Sequence, residues 1–164
     1  MINIKKLSVV IPVFGCIETI DELYKRLNIN LKKISKNYEI IFIDDSNDSN
    51  TWNKLQNISK KSKKVLCINL SRNFGQHAAV TAGLENSSGD WIVVMDCDLQ
   101  DRPEEIINLV KNCESNHDIV FASRKNRNDN FLKKFSSILF YSIMTWLTNI
   151  KMDYSVSNFG LYNN

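Results

Sequence analysis

Trp91-Ile92-Val93-Val94-Met95-Asp96-Cys97-Asp98-Leu99-Gln100 is an apolar run that ends in two carboxylates one residue apart. A run of this kind reads as a strand buried on both faces of a parallel sheet. The carboxyl end of such a strand opens into the crevice where open α/β sheets bind their ligands. Asp96 and Asp98 have the charge and hardness to hold Mg²⁺ or Mn²⁺, cations that often share their shell with substrate phosphates, and Gln100 can add a carbonyl oxygen. A D-x-D tripeptide is by itself equally a solvated turn capping the next helix. Its position at the end of a long apolar strand, after several alternating segments, is what favours a site.

Working outward, the segments before this strand repeat one unit. Val9-Val10-Ile11 reads as a first strand stopped by Pro12, followed by a helix with Ile20, Leu23, Tyr24, Leu27, Leu31 and Ile34 at spacings of three and four. Residues 39–43 form a second strand ending in Asp44-Asp45-Ser46-Asn47-Asp48, and this cluster caps a helix carrying Trp52, Leu55 and Ile58. Asp48 is expected to serve as a helix cap. Val65 to Leu70 is a third strand, and Ser71 to Gln76 leads into a helix from His77 to Leu84 whose Ala78, Ala79, Ala82 and Gly83 permit close approach to the sheet. Beyond the opening run, Pro103-Glu104-Glu105 marks a first helical turn, and residues 118–122 a fifth strand. Strands and helices alternating at this spacing predict an α/β fold with a mostly parallel central sheet flanked by helices on both faces.

The 164 residues are of single-domain size, with ordinary globular composition at 43% hydrophobic and 24% charged. A net charge of +3 is mild, and Lys60, Lys61, Lys63 and Lys64 read as a solvated helix end, so nucleic acid is not expected as a partner. Cys16, Cys67, Cys97 and Cys113 lack a C-x-x-C pair or zinc spacing and are expected to be reduced, buried thiols, which implies a cytoplasmic location. The N-terminus enters its first strand too soon for a signal peptide. From Ser123 the character changes: Arg124, Lys125, Arg127, Lys133 and Lys134 precede an apolar stretch from Phe135 to Leu147. At about 13 residues this stretch is shorter than the roughly 20 needed to span a bilayer. Residues 130–150 are expected to form an amphipathic helix that packs on the domain or lies at a membrane surface, its lysines facing phosphates. Residues 155–161 can add one more strand.

In a parallel sheet all carboxyl ends share an edge, so Asp44, Asp45, Asp96, Asp98 and Glu18 are expected to converge although they are distant in sequence. After the first strand the chain offers Pro12-Val13-Phe14-Gly15-Cys16 with a single glycine, which argues against a dinucleotide fingerprint, and no P-loop is present. A metal on Asp96 and Asp98 is then the available device for holding phosphate. His77 and His117 have no evident nucleophile partner and read as packing or surface groups.

Four segments together carry a resemblance: Ser8-Val9-Val10-Ile11-Pro12-Val13-Phe14-Gly15; Ile43-Asp44-Asp45-Ser46; Leu70-Ser71-Arg72-Asn73-Phe74-Gly75-Gln76-His77; and Met95-Asp96-Cys97-Asp98-Leu99-Gln100-Asp101-Arg102-Pro103-Glu104-Glu105. The ordered set resembles family-two glycosyltransferases of the GT-A nucleotide-diphospho-sugar transferase fold, and within them bacterial enzymes related to dolichyl-phosphate mannose synthase. The resemblance implies transfer of a sugar from a UDP- or GDP-sugar to a polyprenyl phosphate in cell-envelope glycan synthesis, at the inner face of the cell membrane. It implies that Pro12, Phe14, Glu18, Asp44, Asp45 and Arg72 line the donor nucleotide's pocket, and that Asp96, Asp98 and Gln100 hold Mg²⁺ or Mn²⁺. Arg124, Lys133 and Ser137 would meet the acceptor phosphate.

The chain departs from the family pattern at Ser46, where a glycine is usual, and at Phe14-Gly15, with the acid displaced to Glu18. By the same resemblance, residues 1–164 form one donor-binding domain lacking a C-terminal part. Self-association into a homo-oligomer is a further expectation. The alternative reading is a truncated, non-catalytic nucleotide-sugar-binding or assembly module. A sugar-phosphate nucleotidyltransferase would need a Gly- and Arg-rich phosphate loop that residues 13–16 do not supply.

Overall fold

The computed structural model describes residues 2–123 and 156–164. Over these residues the order is β1 (Leu7–Val13), α1 (Ile20–Ile34), β2 (Tyr38–Asp44), α2 (Ser49–Lys61), β3 (Val65–Asn69), α3 (Gln76–Glu85), β4 (Trp91–Val94), a 3-10 turn (Pro103–Glu105), α4 (Ile106–Asn112), β5 (Ile119–Ser123) and β6 (Val156–Asn163). The strands form one sheet in the order β3-β2-β1-β4-β6-β5. β1 is parallel to β2 and β4, and β2 to β3, whereas β6 runs antiparallel to both β4 and β5. The α/β architecture with a mostly parallel sheet is as expected, with the last strand inserted in reverse between β4 and β5.

The strands alternate between two cores, as a period of two requires. Val9, Ile11, Ile40, Phe42, Val93 and Leu161 face a large core that also takes Leu23, Leu27 and Leu31 of α1, Leu55 of α2 and Ile106 of α4. Val10, Ile41, Ile43, Ile92 and Val94 face a smaller one with Ala79 of α3. Helices therefore cover both faces. α1 exists because its apolar residues recur at three and four, with Asp21 and Glu22 in its first turn and Lys32 and Lys33 in its last complementing the helix dipole. α3 has small residues because it lies close on the sheet: a Cβ on Gly83 would clash with Val10 Cγ1 and come within 2.7 Å of Ile43 Cδ1. The expected cap is present, the Asp48 carboxylate accepting from the backbone N–H groups of Asn50 and Thr51 at 3.2 and 3.0 Å.

Two expectations are corrected. Pro12 does not stop the first strand, which continues to Val13. Val10 O accepts from Met95 N while Val13 O accepts from Asp45 N, so even positions of β1 turn their backbone groups towards β4 and odd positions towards β2. Pairing with β4 ends at Val10 opposite Val94, so at Pro12 the strand is already an edge on that side and the missing N–H costs no ladder bond. The cysteines are not all reduced: Cys16 and Cys97 form a disulfide, while Cys67 and Cys113 are free. Cys16 follows β1 and Cys97 follows β4, adjacent parallel strands, so the sheet brings together thiols that lie 81 residues apart in sequence. The expected helix over 130–150 and the candidates Arg124, Lys133 and Ser137 lie outside the described residues.

Candidate active site

The carboxyl ends of β1, β2 and β4 meet at one edge, where a pocket of about 380 Å³ opens. Pro12 and Phe14 form the wall that continues β1, and Asp96, Cys97 and Asp98 the wall that continues β4. Asp45 lies behind them at the end of β2, and Asn73, Gly75 and Gln76 close the pocket from the entry to α3. Of the residues picked out from sequence, Pro12, Phe14, Asp45, Asp96 and Asp98 thus converge. Phe14 is 63% exposed, an aromatic face held open beside the two acids.

The other sequence candidates stand near this pocket without lining it. Asp44 is fully buried at the end of β2; one carboxylate oxygen accepts from both the backbone N–H and the hydroxyl of Ser46, and the other has no hydrogen-bond partner among the described residues. Glu18 is exposed on the turn before α1. Arg72 is exposed, its guanidinium stacked on the Phe74 ring at 4.2 Å. Gln100 is exposed and its backbone N–H donates to Asp98 Oδ1 at 2.9 Å, which ties the turn after β4 to the second acid. Leu99 within that turn has φ of 65°, a left-handed conformation that a non-glycine residue holds only where its surroundings impose it.

Three contacts of the site were not foreseen from the sequence. Both carboxylate oxygens of the buried Asp45 are used as acceptors, from Phe74 N at 2.7 Å and Gly75 N at 2.9 Å, so this acid anchors the loop that leads into α3. Gly75 sits there with φ of 90°, which only glycine adopts without strain. Gln76 then donates from Nε2 to Asp96 Oδ1 at 2.7 Å and fixes the orientation of the first acid. Third, the Cys16–Cys97 disulfide joins the two walls, and the Thr19 hydroxyl lies 2.8 and 2.7 Å from the carbonyl oxygens of the same two residues. Phe74, Gly75 and Gln76 lie within the third segment of the family resemblance and Asp45 within the second, whereas nothing in sequence spacing marks the disulfide.

A hard divalent cation fits these residues as a shared ligand. Two carboxylates one residue apart supply oxygen donors at an open pocket, and Mg²⁺ and Mn²⁺ commonly complete their shells with phosphate and water. Among the described residues no group of three His, Cys, Asp or Glu side chains gathers to form an all-protein cage. The arrangement can therefore orient a phosphate-bearing ligand between an aromatic wall and an acidic one. None of the described helices is long and apolar enough to cross a membrane.

The family model described as glycosyl transferase family 2 matches residues 8–162. An undecaprenyl-phosphate 4-deoxy-4-formamido-L-arabinose transferase of Proteus mirabilis (strain HI4320) is 37% identical over 151 residues, which make up 92% of this chain and 46% of that protein. The chain thus spans about half the length of this relative. Among solved structures, glucosyl-3-phosphoglycerate synthase from Mycobacterium tuberculosis in complex with UDP superposes with a TM-score of 0.67 at 18% identity, covering 96% of this chain and 56% of that one. A mannosyltransferase from Pyrobaculum calidifontis in complex with GDP-Man and Mn²⁺ gives 0.60 at 14% identity, covering 75% and 36%. At these identities the structural likeness is one of fold.

Proposed function

Because the chain belongs to glycosyl transferase family 2 and has the GT-A fold, we propose that its pocket binds a nucleotide-diphospho-sugar and that Asp96 and Asp98 hold Mg²⁺ or Mn²⁺ against the diphosphate. The observation that carries this reading is the convergence of Asp96 and Asp98 with Pro12, Phe14 and Asp45 on one pocket at the carboxyl edge of the sheet. Phe14 offers a flat apolar face to a nucleobase, and the loop that Asp45 ties down limits the pocket opposite it. Glu18, Asp44 and Arg72 contribute from beside or beneath the pocket, and Gln100 from the turn that orients Asp98.

Transfer breaks the bond between the sugar's anomeric carbon and the diphosphate oxygen and forms a new one to the acceptor oxygen. Negative charge develops on the departing nucleoside diphosphate, and a cation held by Asp96 and Asp98 would supply Lewis-acid neutralisation of that charge. Gln76, by holding Asp96, fixes one carboxylate before the donor arrives, so little reorganisation is needed during the reaction. We assign the acceptor to the polyprenyl phosphates, the class named for the relative from Proteus mirabilis. A phosphate acceptor is anionic at neutral pH and attacks without a general base, which is consistent with a pocket that holds carboxylates already committed to other groups. Arg124, Lys133 and Ser137 are the proposed acceptor-phosphate contacts, and residues 130–150 the segment that would meet the membrane surface on its cytoplasmic side. Residues 1–164 act in this reading as one donor-binding domain.

A thermal-shift screen of nucleoside diphosphates and nucleotide sugars, each with Mn²⁺ and with chelator, tests the reading, since a ligand bound only by the native state raises the melting temperature. A rise with UDP- or GDP-linked donors that disappears with chelator is the expected result. No rise with any nucleotide under either condition contradicts it.

A further inference from the structure

Cys97 is the residue between the two acids, and Cys16 lies two positions beyond Phe14 on the opposite wall of the pocket. Their disulfide spans a Cα–Cα distance of 6.2 Å, within the range that disulfides occupy. The walls do not depend on it alone for their proximity. The Thr19 hydroxyl, with one proton to share between the Cys16 and Cys97 carbonyls, links the same two segments. β1 and β4 pair side by side immediately before them. Breaking the disulfide is therefore expected to leave the fold in place and to loosen the turn over residues 96–101. That turn holds Leu99 in a left-handed conformation and has the Gln100 to Asp98 hydrogen bond as its internal tie.

We infer that Cys16 and Cys97 are positioning residues for Asp96 and Asp98, and that the disulfide between them is a redox-dependent staple which, when closed, holds both carboxylates in the arrangement that takes a divalent cation and a diphosphate. The inference rests on the donor-site reading of the same pocket. Closing the staple removes one proton and one electron from each thiol and passes them to a low-molecular-weight disulfide, which leaves as two thiols. A dithiol reverses the exchange. Cys97 lines the pocket and Cys16 follows the β1 wall, and the two residues retain slight exposure, 7% and 8%. The two remaining cysteines serve as internal references. Burial pushes the Cys67 thiol up to about 11 and raises that of Cys113 as well, so neither presents a thiolate at neutral pH. A closed staple preorganises the site and so removes part of the ordering cost of binding.

The test equilibrates the full chain in mixtures of reduced and oxidised dithiothreitol. Alkylation and mass spectrometry then follow the thiols, hydrogen exchange follows residues 96–101, and titration follows UDP or GDP with Mn²⁺. The expected result is a Cys16–Cys97 linked peptide under oxidising conditions, with Cys67 and Cys113 alkylated after unfolding, and slower exchange at 96–101 in that state. Nucleotide affinity should be about tenfold higher in the closed state, a coupling of ordinary size. A Cys16→Ser/Cys97→Ser double variant should show the open-state affinity at every mixture. Because coupling is reciprocal, saturating nucleotide and Mn²⁺ should make the pair harder to reduce by the same factor, a shift of about 30 mV to lower potential. Free thiols at both positions under oxidising conditions would overturn the inference, as would equal exchange and equal affinity in the two verified states. Redox-dependent exchange at 96–101 in a protein that binds no nucleotide in either state would uphold the positioning and overturn the donor reading.

Discussion

Asp44 and Asp45 are neighbours in sequence and opposite in use, because successive side chains at a strand end point to opposite faces of the sheet. Asp44 turns into the protein and holds Ser46, whereas Asp45 turns towards the pocket and holds the backbone of Phe74 and Gly75. Replacing Asp45 by Ala leaves two N–H groups without their acceptor. Urea denaturation should register a loss of about 1–3 kcal/mol for Asp45→Ala, with a smaller loss for Asp45→Asn, which keeps one acceptor oxygen. Equal stability of Asp45→Ala and the parent would remove the anchoring role. Asp96 and Asp98 were legible in the sequence because a long apolar strand announces where it ends. The partners of Asp45 and Gln76 were not, since a hydrogen bond between segments 20 to 30 residues apart leaves no periodicity to read. The disulfide was invisible for the same reason at greater distance, and the pairing of β1 with β4 alone created it.

The elements themselves were largely readable: within the described residues, each apolar period of two or of three and four became a strand or helix close to its expected bounds. The error at Pro12 shows the limit: whether a proline ends a strand depends on which neighbour its nitrogen faces, and that is a property of the sheet. The small-residue character of α3 was readable too, and its consequence is testable. Gly83→Ala places a methyl group against Val10 and Ile43, and overpacking of this kind costs about 1–3 kcal/mol. The better helix propensity of alanine returns at most about 1 kcal/mol. A net fall in melting temperature is expected, and an unchanged or raised one would show that α3 shifts freely on the sheet.

The 3-10 turn before α4 is tied to α1 by Arg26, whose guanidinium donates to both carboxylate oxygens of Glu104, with Asn30 Nδ2 adding a contact at 3.2 Å. The guanidinium, through this hydrogen bonding first, holds the Glu104 carboxyl at about 2 against an ordinary 4.5. A carboxyl depressed on folding adds stability above its unfolded value and loses it as pH falls through the folded one. The stabilising contribution should therefore be complete above pH 4.5 and gone near pH 2. Glu104 is 45% exposed, so solvent screening limits the contribution to under about 1 kcal/mol. The urea midpoints of the parent and Glu104→Gln should differ at neutral pH and converge as pH falls from 4.5 towards 2. A gap that is constant across this range would contradict the assignment.

Over the whole molecule, alternation of strands and helices was enough to foresee a parallel sheet with helices on both faces, since few other arrangements bury such strands. It could not foresee the strand order. The reverse insertion of β6 between β4 and β5 is decided by long-range pairing, with Leu161 opposite both Val93 and Val120, and no local pattern encodes it. That order leaves the ends of β1, β2 and β4 adjacent, and their adjacency makes a single pocket from three separate segments. The central claim is that this pocket binds a nucleoside diphosphate through a cation on Asp96 and Asp98. Calorimetric titration of UDP and GDP into the protein with Mn²⁺, repeated with chelator and with Asp98→Ala, tests it most directly. Binding of one nucleotide that requires Mn²⁺ and is lost in Asp98→Ala is the predicted result, whereas binding that is equal with chelator and in the variant would contradict it.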